Sequence, residues 1–326
     1  MILLIGCSSN ETPFNNKTLN HTLPKLSISN VLPTATSNTY CNPSLDSDIL
    51  YGIGYDLFNK EKYTDAKSCL IMAAPQYDRA FCYLAIIAQY DEESTEHQRN
   101  TEAFNYIAYS ASKNDWCAEY GMYENYKYGI RGAKQDKTLA LSWLERSAKH
   151  GYPEAQELIK TYHYKQGNLP LSYAWSKILE QDTNSLEKET HKNMTKSQIN
   201  ESKKLYEELK KIVTPKEILK NEALMENIAF LSASIHLNHP ETFKNVSSAE
   251  RNSFIKKAIT EAQNKSKLKT RGEIESYVVV TSHAQKRQSG ADILKNPEII
   301  KILKNSELTT SQKIESSLII ADKTYK

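Results

Sequence analysis

Two histidines in the second half of the chain stand at a spacing that places both side chains on one side of a helix. His236 and His239 are three residues apart, and neutral imidazoles are common zinc ligands. Asn238 and Pro240 indicate that a helix ends at this point. Two imidazoles without a third ligand make a poor zinc site, so the sequence predicts no metal here.

The five cysteines offer a second chemistry, disulfide formation. Apart from Cys7, they are Cys41, Cys69, Cys82 and Cys117. This even number allows three complete pairings, and pairing needs an oxidising compartment. Cys69 and Cys82 fall on consecutive predicted helices across a short turn, so we predict a disulfide between them. Buried free thiols are the alternative.

Motifs that carry catalysis are missing from the sequence. It contains no GxSxG, HExxH, Walker loop or dinucleotide fingerprint. The acidic residues Asp91, Glu92 and Glu93 stand in a polar stretch, where solvation accounts for them. We therefore predict a protein with no catalytic residues, cofactor or metal. An enzyme that acts on cell-wall material is the remote alternative.

Tyrosine is the unusual residue type, with 20 copies, many of them between residues 83 and 164. Tyrosine is favoured at interfaces because it buries a large area with few rotatable bonds and keeps a polar tip. Tyr120, Tyr123 and Lys127 fall on one helix face at positions i, i+3 and i+7. We predict that they form an exposed stripe that binds a partner. Packing of these tyrosines between helices is the alternative.

The charge distribution argues against nucleic acid as a partner. The formal net charge is +3, and residues 251–326 carry 15 Lys or Arg against 8 Asp or Glu. Lysines alternate with glutamates there, and no basic stripe with interleaved aromatic residues is present. The excess is typical of a solvated helical face, with binding to an acidic partner or a membrane surface as the alternative.

Three series of alanines recur through the first half of the chain. Within each series, successive members stand 37 or 38 residues apart. The series are Ala66, Ala103 and Ala140; Ala74, Ala111 and Ala148; and Ala80, Ala118 and Ala155. A small residue that returns in every copy indicates a tight contact between helices. A period in the thirties with two helices per copy is typical of an α-solenoid.

The clearest copy covers residues 118–156. It is predicted as two helices joined by the turn from Gly129 to Asp136, with Asp136 as the N-cap of the second helix and Gly151 at its left-handed end. The copy resembles the Sel1-like repeat, a relative of the tetratricopeptide repeat. The matching residues are Ala118, Met122, Tyr126, Gly129, Asp136, Ala140, Trp143, Ala148, Gly151 and Ala155. It departs from the family in a turn one residue longer and in Tyr123, where a small residue is typical. The resemblance implies a protein-binding scaffold.

About four such units are predicted over residues 48–181, followed by a polar connector over 182–213. Residues 214–326 are predicted as a C-terminal domain of about five helices, one of which opens with a capping box of Ser247 and Glu250. The stretch 274–283 is predicted as a helix rather than a strand. Through residues 277–280 and the spacing from Pro297 to Lys313, this domain faintly resembles helical parts of type VI secretion accessory proteins.

The N-terminus begins with MILLIGC. The run Leu4, Ile5, Gly6 and Cys7 resembles the lipobox of bacterial lipoproteins, in which the cysteine thiol is acylated and anchors the chain to a membrane. Residues 1–7 are therefore predicted as part of a lipoprotein signal. Ser8, directly after the cysteine, resembles the residue at that position in lipoproteins that are retained in the outer membrane. An ordinary apolar N-terminus with an unrelated cysteine is the alternative.

Residues 8–47 are rich in Ser, Thr, Asn and Pro without periodicity, and they are predicted as a flexible linker. No apolar run reaches the roughly 20 residues that a membrane-spanning helix needs. We therefore expect an all-α protein held in the periplasm by a lipid on the outer membrane. A soluble periplasmic or a cytoplasmic protein is the alternative.

The sequence thus favours a non-enzymatic scaffold of the bacterial envelope that binds another protein. The partner is expected to be a secreted antibacterial effector, which the scaffold neutralises as an immunity protein. A structural or regulatory adaptor that binds an envelope protein is the alternative.

Metabolic labelling tests the predicted lipid anchor. Cells fed a palmitate analogue should label the wild-type chain, and Cys7→Ala should abolish the label because the acylated thiol is gone. Ser8→Ala is the matched control and should keep the label. Labelling that persists in Cys7→Ala would show that the lipobox interpretation is wrong.

Overall fold

The computed structural model describes residues 19–179 and 185–326, and all of the regular secondary structure in them is helical. The all-α prediction is therefore confirmed for this part of the chain. Within it, no helix is both long and apolar enough to cross a membrane. Cys7 lies outside the described residues, so its lipidation stays a prediction.

The helices follow one another with short connections. In chain order they are α1 (Ile28–Val31), α2 (Ser47–Asn59), α3 (Tyr63–Ala73), α4 (Ala80–Gln89), α5 (Glu96–Ser112), α6 (Trp116–Tyr128), α7 (Lys137–Lys149), α8 (Pro153–Lys165), α9 (Leu169–Ile178), α10 (Ser185–Asn193), α11 (Lys196–Ile212), α12 (Lys216–Asn238), α13 (Ser248–Ser266), α14 (Arg271–Arg287), α15 (Pro297–Leu303) and α16 (Thr310–Thr324). Two short 3₁₀ turns, Pro240–Phe243 and Ile293–Lys295, lie between them.

The chain divides into two compact units, each made of two separate stretches. Unit 1 comprises Met1–Pro33 and Phe81–Leu219, and unit 2 comprises Thr34–Ala80 and Lys220–Lys326. This division differs from the predicted one at two places: the first predicted repeat falls in unit 2, and the predicted connector over 182–213 falls in unit 1. Hydrophobic periodicity describes neighbours along the chain, and it does not reveal which distant helix an element packs against.

In unit 1, the helices from α5 to α9 each pack against the helix that follows in the chain. Six of the nine alanines of the three series lie in this unit, and Ala66, Ala74 and Ala80 lie in unit 2; all nine are at most 3% exposed. A methyl side chain lets two helix backbones approach closely, whereas a larger residue holds them apart. The interpretation of these alanines as contact positions is therefore confirmed.

The predicted turn and caps of the clearest copy are also confirmed. The Asp136 carboxylate accepts a hydrogen bond from the Leu139 backbone N–H at 2.9 Å, which satisfies a donor that the first turn of α7 leaves open. Gly129 closes α6 with φ of 65°, and Gly151 follows α7 with φ of 103°. Both angles lie in the region that glycine adopts without a steric penalty.

Residues 19–47 are packed rather than extended into solvent. Leu19, Leu23 and Val31 are buried in unit 1, and Cys41 is buried in unit 2. The flexible-linker prediction over 8–47 is therefore corrected for this part, while residues 8–18 lie outside the described residues. The anchoring residues are few and irregularly spaced, so periodicity did not reveal them.

In unit 2, aromatic side chains join α2 to α12. The Tyr51 ring stacks on Tyr77 with centroids 4.7 Å apart, and its hydroxyl donates to Glu226 Oε1 at 3.1 Å. Tyr55 stacks on Phe230 at 4.2 Å. Helix α2, which the sequence placed at the start of the repeat array, thus contributes to the core of unit 2.

A buried ion pair connects α2 to α13 within unit 2. Both Asp48 and Arg251 are buried, and Arg251 Nη2 donates to the two carboxylate oxygens of Asp48 at 2.8 Å. Arg251 Nη1 also donates to Asp46 Oδ2 at 2.8 Å. Such charge-assisted bonds offset the cost of removing the two charges from water.

The remaining helices of unit 2 enclose an apolar core. Tyr277, Val278, Val279 and Val280 of α14 are all buried, so this helix is covered on every side. Side chains of α13, α15 and α16 pack against it. The prediction of a helix over 274–283 is confirmed, because a buried helix needs apolar residues all round.

Both disulfides in the described residues differ from the predicted pair. Cys41 is bonded to Cys69, with Cα atoms 5.3 Å apart, and Cys82 is bonded to Cys117, with Cα atoms 6.4 Å apart. The predicted Cys69–Cys82 disulfide is therefore wrong. Proximity along the sequence suggested that pair, but Cys41 reaches Cys69 through the packed segment before α2, and Cys117 reaches Cys82 from the start of α6.

Peptide mapping without reduction should recover these two linkages from the purified protein. Replacing Cys41 and Cys69 together by alanine should lower the free energy of unfolding of unit 2 by about 3 kcal/mol, because the crosslink no longer restricts the unfolded chain. Urea denaturation measures that change. Recovery of a fragment that joins Cys69 to Cys82 would contradict the structure.

Candidate functional site

Helix α6 carries the residues that the sequence singled out for binding. Its N-terminus is capped by Asp115, whose carboxylate accepts from the Ala118 backbone N–H at 3.0 Å. Its C-terminus is closed by Gly129. Capping at both ends defines where the helix begins and ends, and the helix carries both a tyrosine cluster and a buried carboxylate.

The tyrosine side of α6 forms a continuous cluster. The rings of Tyr120 and Tyr123 lie 5.4 Å apart. Lys127 Nζ lies 5.1 Å from the centroid of the Tyr123 ring and 4.6 Å from that of Tyr128. We call these four residues the aromatic surface. The structure thus brings together the three residues predicted from sequence and adds Tyr128.

Burial differs sharply among the four residues. Tyr123 is 7% exposed, so it belongs to the packed interior, and its assignment to an exposed stripe is corrected. Tyr120 and Lys127 are half-buried, whereas Tyr128 is 57% exposed. Helical spacing placed Tyr123 correctly on the face but could not say how much of it neighbouring side chains cover. Tyr128 was missed because it is the last residue of α6, where the spacing rule ends.

Lys127 is held in place by the two tyrosines beside it. Hydrogen bonds with the Tyr123 and Tyr128 side chains raise the pKa of Lys127 above its ordinary value. Partial burial, with Glu124 nearby, raises the pKa of Tyr120. At neutral pH the surface therefore presents a charged ammonium at Lys127 and a neutral phenol at Tyr120. Cation–π contact adds to the fixation of the ammonium.

Two further aromatic residues extend the cluster toward the start of α6. Tyr152 lies edge-on to Tyr120 with centroids 4.9 Å apart, and it stacks on Trp116 at 4.8 Å. Trp116 and Tyr152 are half-buried. The cluster therefore spans the length of α6 and includes the residue that precedes α8.

A buried charge network adjoins Tyr123 on α6, since Glu119 lies one helical turn before it. Glu119 and Arg146 are both buried, and Arg146 Nε donates to Glu119 Oε1 at 2.6 Å. His150 Nδ1 lies 2.7 Å from Glu119 Oε2. Arg146 Nη2 donates to Asn114 Oδ1 at 2.7 Å and to the Ala111 carbonyl at 3.2 Å.

This network has a structural role in joining α5, α6 and α7. Burial raises the pKa of Glu119, and the hydrogen bonds and charges of His150 and Arg146 oppose that rise. The Glu119 carboxylate, the His150 imidazole and the Arg146 guanidinium contact one another, so the network orients α6 relative to α5 and α7.

Among the described residues, one cluster of three potential metal ligands occurs, formed by Cys82, Asp115 and Cys117. Its two sulfur atoms are joined in the disulfide, which removes both thiolates as ligands. His236 and His239 are not part of it. Helix α12 ends at Asn238, as Pro240 predicted, so His239 lies beyond the helix.

A surface cavity of unit 2 is lined by His239, His283 and Lys286. Burial lowers the pKa of His239, and the Glu315 carboxylate opposes this. Lys286 Nζ donates to the Glu241 and Thr242 carbonyls at 2.8 and 2.7 Å. His283 Nε2 lies 2.7 Å from a carboxylate oxygen of Asp322. These contacts hold the side chains of His283 and Lys286 in place within unit 2.

Comparison of the chain with family models, with curated proteins and with solved structures finds no match in any of the three.

The buried network yields a stability prediction. Arg146→Met should lower the free energy of unfolding of unit 1 by about 3–5 kcal/mol, because Glu119 keeps a buried charge without its main partner. Urea denaturation followed by circular dichroism measures the change. Lys149→Met is the matched control on the same helix, since Lys149 forms a partly exposed pair with Glu145 at 3.7 Å. That control should change stability by less than about 1 kcal/mol. Equal effects of the two variants would contradict the assignment.

Proposed function

We propose that this chain is a non-enzymatic scaffold that binds another protein through the aromatic surface of α6. The observation that carries the proposal is the arrangement of Tyr120, Lys127 and Tyr128 around the packed ring of Tyr123. Tyrosine is enriched among the residues that dominate binding energy at protein interfaces.

The surface has the properties of a preorganised interface. Lys127 is fixed between two rings, so little side-chain freedom is lost when a partner binds. Tyr123 supports the exposed residues from beneath, and the capped ends of α6 hold them in register. Phenol and ammonium groups at the rim provide hydrogen bonds, and the rings provide apolar area.

We further propose that the helices of unit 1 form a Sel1-like solenoid. Packing of each helix from α5 to α9 against its successor, together with burial of the alanine series, supports this arrangement. In such arrays, each repeat contacts its neighbours and the array presents an extended binding surface. The C-terminal helices from α13 to α16 are proposed to form a separate accessory part.

An extracytoplasmic location in the bacterial envelope is part of the proposal. Two disulfides support it, because disulfides persist in oxidising compartments and are rare in the cytosol. Acylation of Cys7 would hold the scaffold on the outer membrane. Neutralising a secreted antibacterial effector is the role that we favour, and organising an envelope complex is the other role in this class.

Affinity capture with the full chain tests the proposal. Tyr128→Ala and Lys127→Met should each weaken binding of the captured partner at least tenfold, as calorimetry measures, with an unchanged melting temperature. Tyr90→Ala is the matched control, because Tyr90 is 58% exposed in unit 1 and lies outside the aromatic surface. It should bind as the wild type does.

The identity of the captured protein separates the two roles. Recovery of a toxin encoded beside this chain would support immunity, and recovery of envelope machinery would support the adaptor. Full affinity in both Tyr128→Ala and Lys127→Met would overturn the assignment of the aromatic surface as the binding site.

A further inference from the structure

Residues 19–23 pack against the rest of unit 1, and we call them the N-terminal peptide. Leu19 and Leu23 are buried at its two ends. Between them, Arg146 Nη1 donates to Asn20 Oδ1 at 2.6 Å, and the Thr22 hydroxyl donates to the Leu19 carbonyl at 2.7 Å. Two buried leucines and the bond from Arg146 of α7 thus hold it on unit 1.

The polar part of this site belongs to the folded body of unit 1. Arg146 is 1% exposed, and Glu119, Asn114 and the Ala111 carbonyl hold its guanidinium in one orientation. The guanidinium is therefore positioned by α5 and α6, and Nη1 is the atom that faces the N-terminal peptide. An amide oxygen is the acceptor that it binds there.

The N-terminal peptide is held by few buried side chains. Leu19 and Asn20 are helical and His21 and Thr22 form a turn, with backbone bonds from Thr22 N to the Leu19 carbonyl at 2.9 Å and from Leu23 N to the Asn20 carbonyl at 3.3 Å. Asn20, His21, Thr22 and Pro24 are exposed. A segment with so few buried contacts is expected to open at a lower free energy than the packed helices.

From these contacts, we propose that the N-terminal peptide occupies a peptide-binding site of unit 1, and that the partner binds there by displacing it. The ligand class is a peptide segment with a leucine, an asparagine directly after it, and a second leucine three positions further on. This inference rests on the proposed protein-binding function and specifies a second site for it, at Arg146 of α7.

Displacement makes a quantitative prediction about affinity. A ligand that must expel an intrachain segment binds with its intrinsic affinity reduced by the fraction of molecules whose site is open. A fluorescein-labelled peptide of residues 17–25, KTLNHTLPK, should therefore bind the full chain weakly. Leu19→Ser combined with Leu23→Ser weakens the intrachain anchors, so this variant should bind the labelled peptide at least tenfold more tightly.

The controls are matched to each contact. Lys25→Ser changes an exposed residue beside the N-terminal peptide and should bind the labelled peptide as the wild type does. A labelled peptide with alanine at the Asn20 position should bind the double variant at least tenfold less tightly, since it offers no amide oxygen to Arg146. Equal binding of the labelled peptide by the wild type and a folded double variant would overturn the proposal.

A measurement on the wild-type protein does not depend on the folding of any variant. An excess of unlabelled peptide should accelerate hydrogen exchange at the Thr22 and Leu23 amides of the chain, because their hydrogen bonds to residues 19 and 20 are lost on displacement. Exchange in α6 should stay slow. No acceleration at saturating peptide would show that the site cannot be vacated. Because the probe is the chain's own sequence, this failure would leave the capture experiment on the aromatic surface unaffected.

Discussion

The buried guanidinium of Arg146 is the constraint on which unit 1 depends most. A charge removed from water must be surrounded by acceptors, or the unit loses several kcal/mol. Those acceptors come from the end of α5, from Glu119 on α6 and from Asn20 near the N-terminus. The hydrogen bonds of this one side chain therefore join α7 to residues 111–119 and to the distant Asn20.

The orientation of helix α6 follows from this arrangement. Because Glu119 is directed inward to Arg146, the helix cannot rotate without leaving a buried charge unpaired. Tyr123, one turn further along the same face, is then buried with Glu119, and Tyr128 at the end of the helix is left exposed. The buried network positions the aromatic surface without contacting a ligand itself, which is the role of a supporting shell.

Local features were predictable from the sequence because they depend on neighbours along the chain. The helix caps at Asp136 and Ser247, the left-handed glycines and the buried alanine series all follow from steric and hydrogen-bonding preferences of single residues. The disulfide partner of Cys69 was not predictable in this way. It is decided by where the segment around Cys41 packs, and that segment carries no periodic signal.

The sequence by itself determined that the chain is helical, where many of its helices begin and end, and which face of α6 carries tyrosines. Helical periodicity and capping chemistry are encoded within a few turns, so no distant contact is needed to specify them. Only the tertiary structure decided that Tyr123 is covered while Tyr128 is exposed, and that Asn20 is bound by Arg146 of α7. Burial depends on which distant side chains pack against a residue, and the pattern along one helix does not contain that information.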